Sequence, residues 1–269
     1  MNIFDLLDTD LNFVEEYNKL MKLFKNKIVY RSTIRNYTLK DLFNEKLKYW
    51  DYRGTAIYVD DILKKLKLGD ITDEKNSKDD LLKLIQLLLN VRKLIYEYYN
   101  SYELDDIIIF DNIKYILEKV KYKSYNEKDK IILAPQNIET LSAVNSIDKS
   151  LGTLLVEYLD FNIQKDINEK KRILNDISYQ LEPTRNELNK VNKNITDKLF
   201  HLFNKMNIRH NNREGKNRIE EVANMKDEEI ISWYDKTYEM TIYLLNQEKN
   251  VKNVHEIEEL IRKIEEKNN

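Results

Sequence analysis

The chain has no cysteine among its 269 residues. Disulfides, thiolate zinc sites and cysteine nucleophiles are therefore excluded. Only 4 glycines and 2 prolines are present. The glycines stand apart at Gly54, Gly69, Gly152 and Gly215, so no phosphate-cradling GxxxxGK[ST] or GxGxxG loop can be drawn. A GxSxG nucleophile elbow is missing for the same reason. There are 3 histidines, none within four residues of another, and there is no HExxH and no EF-hand loop. No metal site and no cofactor is expected. No uncharged apolar run approaches membrane-spanning length, and the longest candidate, 81–91, is broken by Lys83 and Gln86. Acids come early in Met1–Asp8, unlike a secretory leader. The expected location is the cytoplasm, with no membrane partner.

What the chain does have is charge and helical periodicity. Hydrophobic residues make up 42% and charged residues 34%, with a net charge of −2. That balance fits a charge-coated helical protein. Apolar residues recur at helical spacing in 9–25, from Leu11 to Phe24. Thr38 reads as an N-cap for 42–49, and 55–68 as a helix closed by Gly69. Ser77 opens a long helix, 78–99. The segment 107–122 reads as helix, although Ile107–Phe110 alone could be a buried strand. Lys130–Pro135 is β-like and could pair with 122–125. Further helices are expected at 150–158, 165–181, 184–205 after Pro183, 226–246 and 254–267. The fold class is mainly α: a helical bundle, two helical lobes, and at most one small β-hairpin near 122–135. The seam between lobes falls in 122–147, giving an N-terminal helical region, 1–125, of unknown role and a helical domain at 148–269.

Charge is segregated in the second half. Thr184–Arg218 carries nine bases and three acids, and 219–266 carries thirteen acids and six bases. Either the two blocks pair with each other, or the basic one is a polyanion surface. On the second reading Arg185, Lys205, Arg213, Lys216 and Arg218 bind RNA, and binding falls steeply with salt. The paired acids Asp79-Asp80 and Asp105-Asp106 lie near helix starts, where carboxylates suit the dipole. Asp60-Asp61 reads as a solvated face. Arg53, between Trp50, Tyr52 and Gly54, reads as a turn whose aromatics plug the core.

One short stretch holds chemistry-bearing groups. It is Arg209-His210-Asn211-Asn212, at the polar end of the 184–205 helix. Imidazole works as acid or base near neutral pH, guanidinium holds a phosphate, and asparagine orients either. Metal-free RNA cleavage needs little more, because the 2′-hydroxyl supplies the nucleophile. The same residue types also make an ordinary helix C-terminus, where Arg and His complement the dipole and Asn tolerates left-handed geometry.

The segments Leu199–Phe203, Asn207–Asn212 and Trp233–Leu245 resemble the HEPN superfamily over roughly residues 150–247. The stretch from Leu181 to Asn212 is similar to proteins of phage-defence loci. The resemblance implies an antiparallel helix bundle, usually a homodimer with a composite site at the dimer cleft. It also implies a role in abortive infection or toxin–antitoxin antiviral defence, with RNA or an antitoxin protein as partner. Active members carry Arg followed four to six residues later by His, often as RNxxxH. No histidine here has Arg at that spacing, and in the run begun by Arg185-Asn186 it is Lys190 that stands where His belongs. Two functions follow: a metal-independent endoribonuclease with Arg209 on the phosphate and His210 as acid/base, or a non-catalytic helical binding or scaffold module of a defence system.

Overall fold

The structure, a computed structural model, describes residues 11–69, 77–99, 104–127 and 129–267. Helix dominates, as the periodicity requires, and the strands form two small two-stranded sheets. The chain divides into two compact units between Leu133 and Ala134.

In the first unit, α1 (Phe13–Asn26) starts at Asn12, whose side chain accepts from Glu15 N. It buries Tyr17, Leu20, Met21 and Phe24, the i, i+3, i+4, i+7 face. An antiparallel ribbon follows, β1 (Ile28–Arg31) and β2 (Asn36–Thr38), with Tyr30 opposite Tyr37. This second ribbon goes beyond the single hairpin expected at 122–135; its strands are too short to show an alternating pattern. Helix α2 (Leu39–Lys46) opens with a reciprocal box: Thr38 Oγ1 accepts from Asp41 N, and Asp41 accepts from Thr38 N.

The expected helix 55–68 is shorter in the structure. It runs as α3 (Val59–Lys65), and the left-handed residue that ends it is Lys67 (φ 57°) rather than Gly69. Asp61 explains the late start. Its carboxylate accepts from the backbone N–H of Ile57 and Tyr58, both at 2.9 Å. These bonds hold its pKa below the ordinary value. Asp60 and Asp61 thus sit in the first turn rather than mid-helix, and Asp60 is solvated as expected.

Helix α4 (Ser77–Tyr96) buries ten residues, including Leu81, Leu84, Ile85, Leu88, Val91 and Ile95, and packs against α1 and α2. Segment 107–110 is helical, the first turn of α5 (Ile107–Val120). The expected hairpin forms as β3 (Tyr122–Glu127) and β4 (Lys130–Pro135). Asn90 on α4 serves the β4 edge: it donates to Ile131 O at 2.7 Å and accepts from Ile131 N at 2.8 Å. A free edge is thereby blunted by a side-chain amide.

The second unit contains α6 (Ile138–Val144), α7 (Lys149–Tyr158) and α8 (Ile167–Leu181), with Asn137, Asp148 and Asp166 as side-chain N-caps. A 3-10 turn at Glu182–Thr184 carries Pro183 and leads into α9 (Arg185–Lys205). That helix was expected to be continuous; it kinks at Asn192 (φ −157°, ψ 87°). There Asn192 Oδ1 accepts from Ile195 N, so the asparagine caps a new helix start inside the run. Short α10 (Glu220–Ala223) precedes α11 (Asp227–Lys267). The last helix was expected in two pieces, 226–246 and 254–267, and is one element of 41 residues, about 60 Å long. No glycine or proline lies between 227 and 267 to break it. The core joins Leu155 and Tyr158 of α7, Ile173 and Ile177 of α8, Leu199 and Phe203 of α9, and Tyr234 and Leu245 of α11.

Candidate functional site

The connector from Met206 to Ile219 leaves α9 through Asn207, which adopts left-handed geometry (φ 59°). Such a residue reverses the chain and satisfies helix-end carbonyls. Met206 N donates to Leu202 O, and Arg209 N donates to Phe203 O at 2.9 Å. Two buried asparagines then lock the loop. Asn207 N donates to Asn212 Oδ1 at 2.9 Å, and Asn212 N donates to Asn207 Oδ1 at 3.1 Å. Asn212 also donates to Asn217 O through Nδ2 and accepts from Ile219 N through its carbonyl. Asn207 and Asn212 are both buried, where an unmade bond costs about 1–3 kcal/mol.

Arg209 points inward. Its side chain is 11% exposed, ion-paired to Glu182, and bonded to Ser178 through Nε to Oγ (2.7 Å) and Nη2 to the carbonyl (2.6 Å). Its guanidinium lies within 6 Å of the rings of Tyr179, Phe200 and Phe203. Ser178 is fully buried and passes the bond on, donating to Asn175 O. Arg209 therefore staples the connector to α8. His210 and Asn211 are exposed. Asn211 Oδ1 accepts from Arg213 N and Glu214 N, a local turn. The four residues adjacent in sequence do not converge: the guanidinium faces α8, Asn212 faces the loop interior, and His210 faces solvent.

The basic residues are only partly available to a polyanion. Arg213 pairs with Asp227 at 2.8 Å and donates to Met225 O. Arg218 grips Glu220, and Arg185 lies 3.7 Å from Glu182 and 3.8 Å from Asp197. Asp227 and Glu220 belong to the acidic segment, so the two charge blocks partly pair with each other. Lys205 and Lys216 are exposed.

The most demanding electrostatic arrangement is one that sequence reasoning passed over. Lys170 of α8 is 1% exposed, and its ammonium bonds Asp235 of α11, whose side chain is 44% exposed. Tyr158 OH donates to the same Asp235 oxygen at 2.9 Å. The ammonium lies 4.5 Å from the Tyr158 ring centre, and that ring stacks on Tyr238 at 4.4 Å. The signal was present in the sequence: Lys170 holds the first place of the apolar stripe Ile173, Leu174, Ile177. A lysine in such a stripe needs a buried acceptor. In the first unit Asp106, 1% exposed, is held similarly by Arg92 (3.0 and 3.2 Å) and Tyr96 OH. Arg53 donates to Ala56 O, so the turn is as expected, but its aromatics do not fill the core: Trp50 is half-buried, edge-on against Phe43, and Tyr52 is exposed. Among the described residues no three His, Asp or Glu cluster as a metal site would require.

Burial moves several of these groups. It pushes Tyr158 far above the ordinary phenol value, with the Asp235 charge adding to the effect. It raises Tyr234, which donates weakly to Asn207 O, to about 12. Burial, with a smaller contribution from Arg213, lowers Lys171, which donates to Asn207 Oδ1. For a phenol raised in the fold, stability is fully present below the unfolded value of 10.0 and is lost as pH rises above it, because only the unfolded chain releases the proton. The melting temperature is expected to hold up to about pH 9.5 and to fall beyond about pH 10, the ordinary phenol pKa. Phenolate absorbance should rise together with unfolding. Ionisation of all tyrosines in a still-folded chain would contradict this.

Compared with protein-family models, curated proteins and solved structures, the chain matches none of them.

Proposed function

We propose that the second unit is a non-catalytic helical binding or scaffold module of the kind used in defence and toxin–antitoxin systems, with residues 206–219 as its structural clasp. The observation that supports this reading is the engagement of Arg209. One donor on each of its three nitrogens is engaged, by Glu182, the Ser178 hydroxyl and the Ser178 carbonyl, and aromatic rings lie within 6 Å of its plane. A guanidinium only 11% exposed and held this way is turned away from a phosphate arriving from solvent. The association with defence systems rests on the HEPN resemblance of residues 150–247.

The endoribonuclease is the second reading, favoured by the exposure of His210, Lys205 and Lys216. Substitution separates the two. Arg209→Ala is expected to destabilise the fold by about 1–3 kcal/mol, from lost charged hydrogen bonds and ring packing. His210→Ala should shift stability by less than about 0.5 kcal/mol, as for an ordinary surface change. Neither the parent chain nor either variant should cut single-stranded RNA in EDTA. Cleavage that leaves 2′,3′-cyclic phosphate ends and disappears in His210→Ala, with the melting temperature unchanged, would establish the nuclease instead.

A further inference from the structure

Among the described residues, nothing packs on the distal part of α11. Every residue from Val251 to Glu265 is exposed. Yet Val254, Ile257, Leu260, Ile261 and Ile264 are each 49–58% exposed and line one side of the helix. The spacing Val254, Ile257, Ile261, Ile264 is 3-4-3, the a/d seam of a left-handed coiled coil. A lone helix of this length is marginal in water, and its stability ordinarily comes from packing of the apolar face. The geometry points to a second copy of this chain as the occupant, with the two α11 ends packed antiparallel.

The seam is complementary to its own reverse. Aligned about Glu259, Val254 meets Ile264 of the second copy, and Ile257 meets Ile261 of the second copy. On one flank Leu260 lies about 3 Å along the axis from Leu260 of the second copy, and Glu256 about 1.5 Å from Lys263 of the second copy. On the other flank Glu258 lies about 3 Å along the axis from Arg262 of the second copy. A parallel pair would instead set Glu256 beside Glu258 and Leu260 beside Glu265. It would also stack β-branched residues at every a and d layer, which disfavours two parallel strands. Six half-exposed apolar side chains per helix, Val251 included, bring the joint burial to roughly the 1,000 Å² at which specific interfaces begin. The expected association is accordingly weak, in the micromolar range. A lipid surface fits the segment less well. Glu248–Lys267 carries six acids and five bases, not the Lys/Arg-rich polar face of a membrane-surface helix.

Sedimentation equilibrium of the full chain at rising concentration tests the pairing. The mass should climb from 32.5 kDa toward twice that value. Ile257→Glu with Ile261→Glu should leave a monomer with unchanged circular dichroism and melting of the two units, because both residues are exposed. The absence of cysteine makes orientation readable from single introduced thiols. Leu260→Cys should form an intermolecular disulfide. Val254→Cys should not, because antiparallel packing separates the two copies of that position by about 15 Å. A parent chain that stays monomeric at every concentration would overturn the proposal, as would a dimer that survives the double substitution. Cross-linking at Val254→Cys but not at Leu260→Cys would overturn the antiparallel arrangement. A monomer that co-sediments with phosphatidylcholine–phosphatidylglycerol vesicles would assign the stripe to a lipid surface.

Discussion

Asp235→Ala is expected to lower the stability of the second unit by about 3 kcal/mol, while Lys170→Met costs less than about 1 kcal/mol. The asymmetry follows from where each group sits. Lys170 is 1% exposed, and removing Asp235 leaves its ammonium buried without a carboxylate. The Tyr158 hydroxyl loses its acceptor in the same step. Breaking one side of a buried pair costs about 3–5 kcal/mol, and the 44% exposure of Asp235 lets water reach the gap, so the lower end applies. Lys170→Met keeps the volume and removes the charge. Asp235 then faces water and retains the Tyr158 bond. Urea titrations of both variants check this. Equal losses would mean that the stem packing of Lys170, rather than its charge pairing, holds α8 against α11.

Phe203→Ala should cost about 3–5 kcal/mol, the range for truncating a buried aromatic. Phe203 is fully buried, packs edge-on against Phe200 at 5.7 Å, and lies under the Arg209 guanidinium at 5.7 Å. Its carbonyl also accepts from Arg209 N, so its backbone position sets where the clasp begins. The variant should therefore lose amide protection at Arg209 and Asn212 before the rest of the unit in hydrogen exchange. A loss below about 1 kcal/mol, with the clasp amides still protected, would show that the loop holds itself through the Asn207–Asn212 exchange alone.

The same local chemistry explains which features of this chain could be read in advance. Helix α4 was legible because its apolar positions persist over 20 residues and Ser77 marks its start. The hairpin of β3 and β4 was legible from β-branched residues ending at Pro135. Asn192 was not legible as a break, since an asparagine inside a helical pattern caps a new turn only when its side chain finds a partner, here Gln247 of α11 at 3.1 Å. The continuity of α11 was hidden for the opposite reason: its stripe shifts face near Gln247, as the helix passes from packing on its own unit to exposure. The ribbon 28–38 was missed because three or four residues cannot display a period.

Composition and period by themselves determined that the chain is mainly helical, that it offers no thiol or glycine-rich phosphate chemistry, and that a polar loop, 207–215, follows the 184–205 helix. Those properties depend on each residue's own preferences and its neighbours within a turn or two. Tertiary structure alone decided that Arg209 turns inward to Ser178 and Glu182 while His210 turns outward, and that Lys170 finds Asp235 sixty-five residues away. A guanidinium or ammonium has the same formula in a catalytic cleft and in a staple. What separates them is which donors are left unspent, and that is fixed only when α8, α9 and α11 meet.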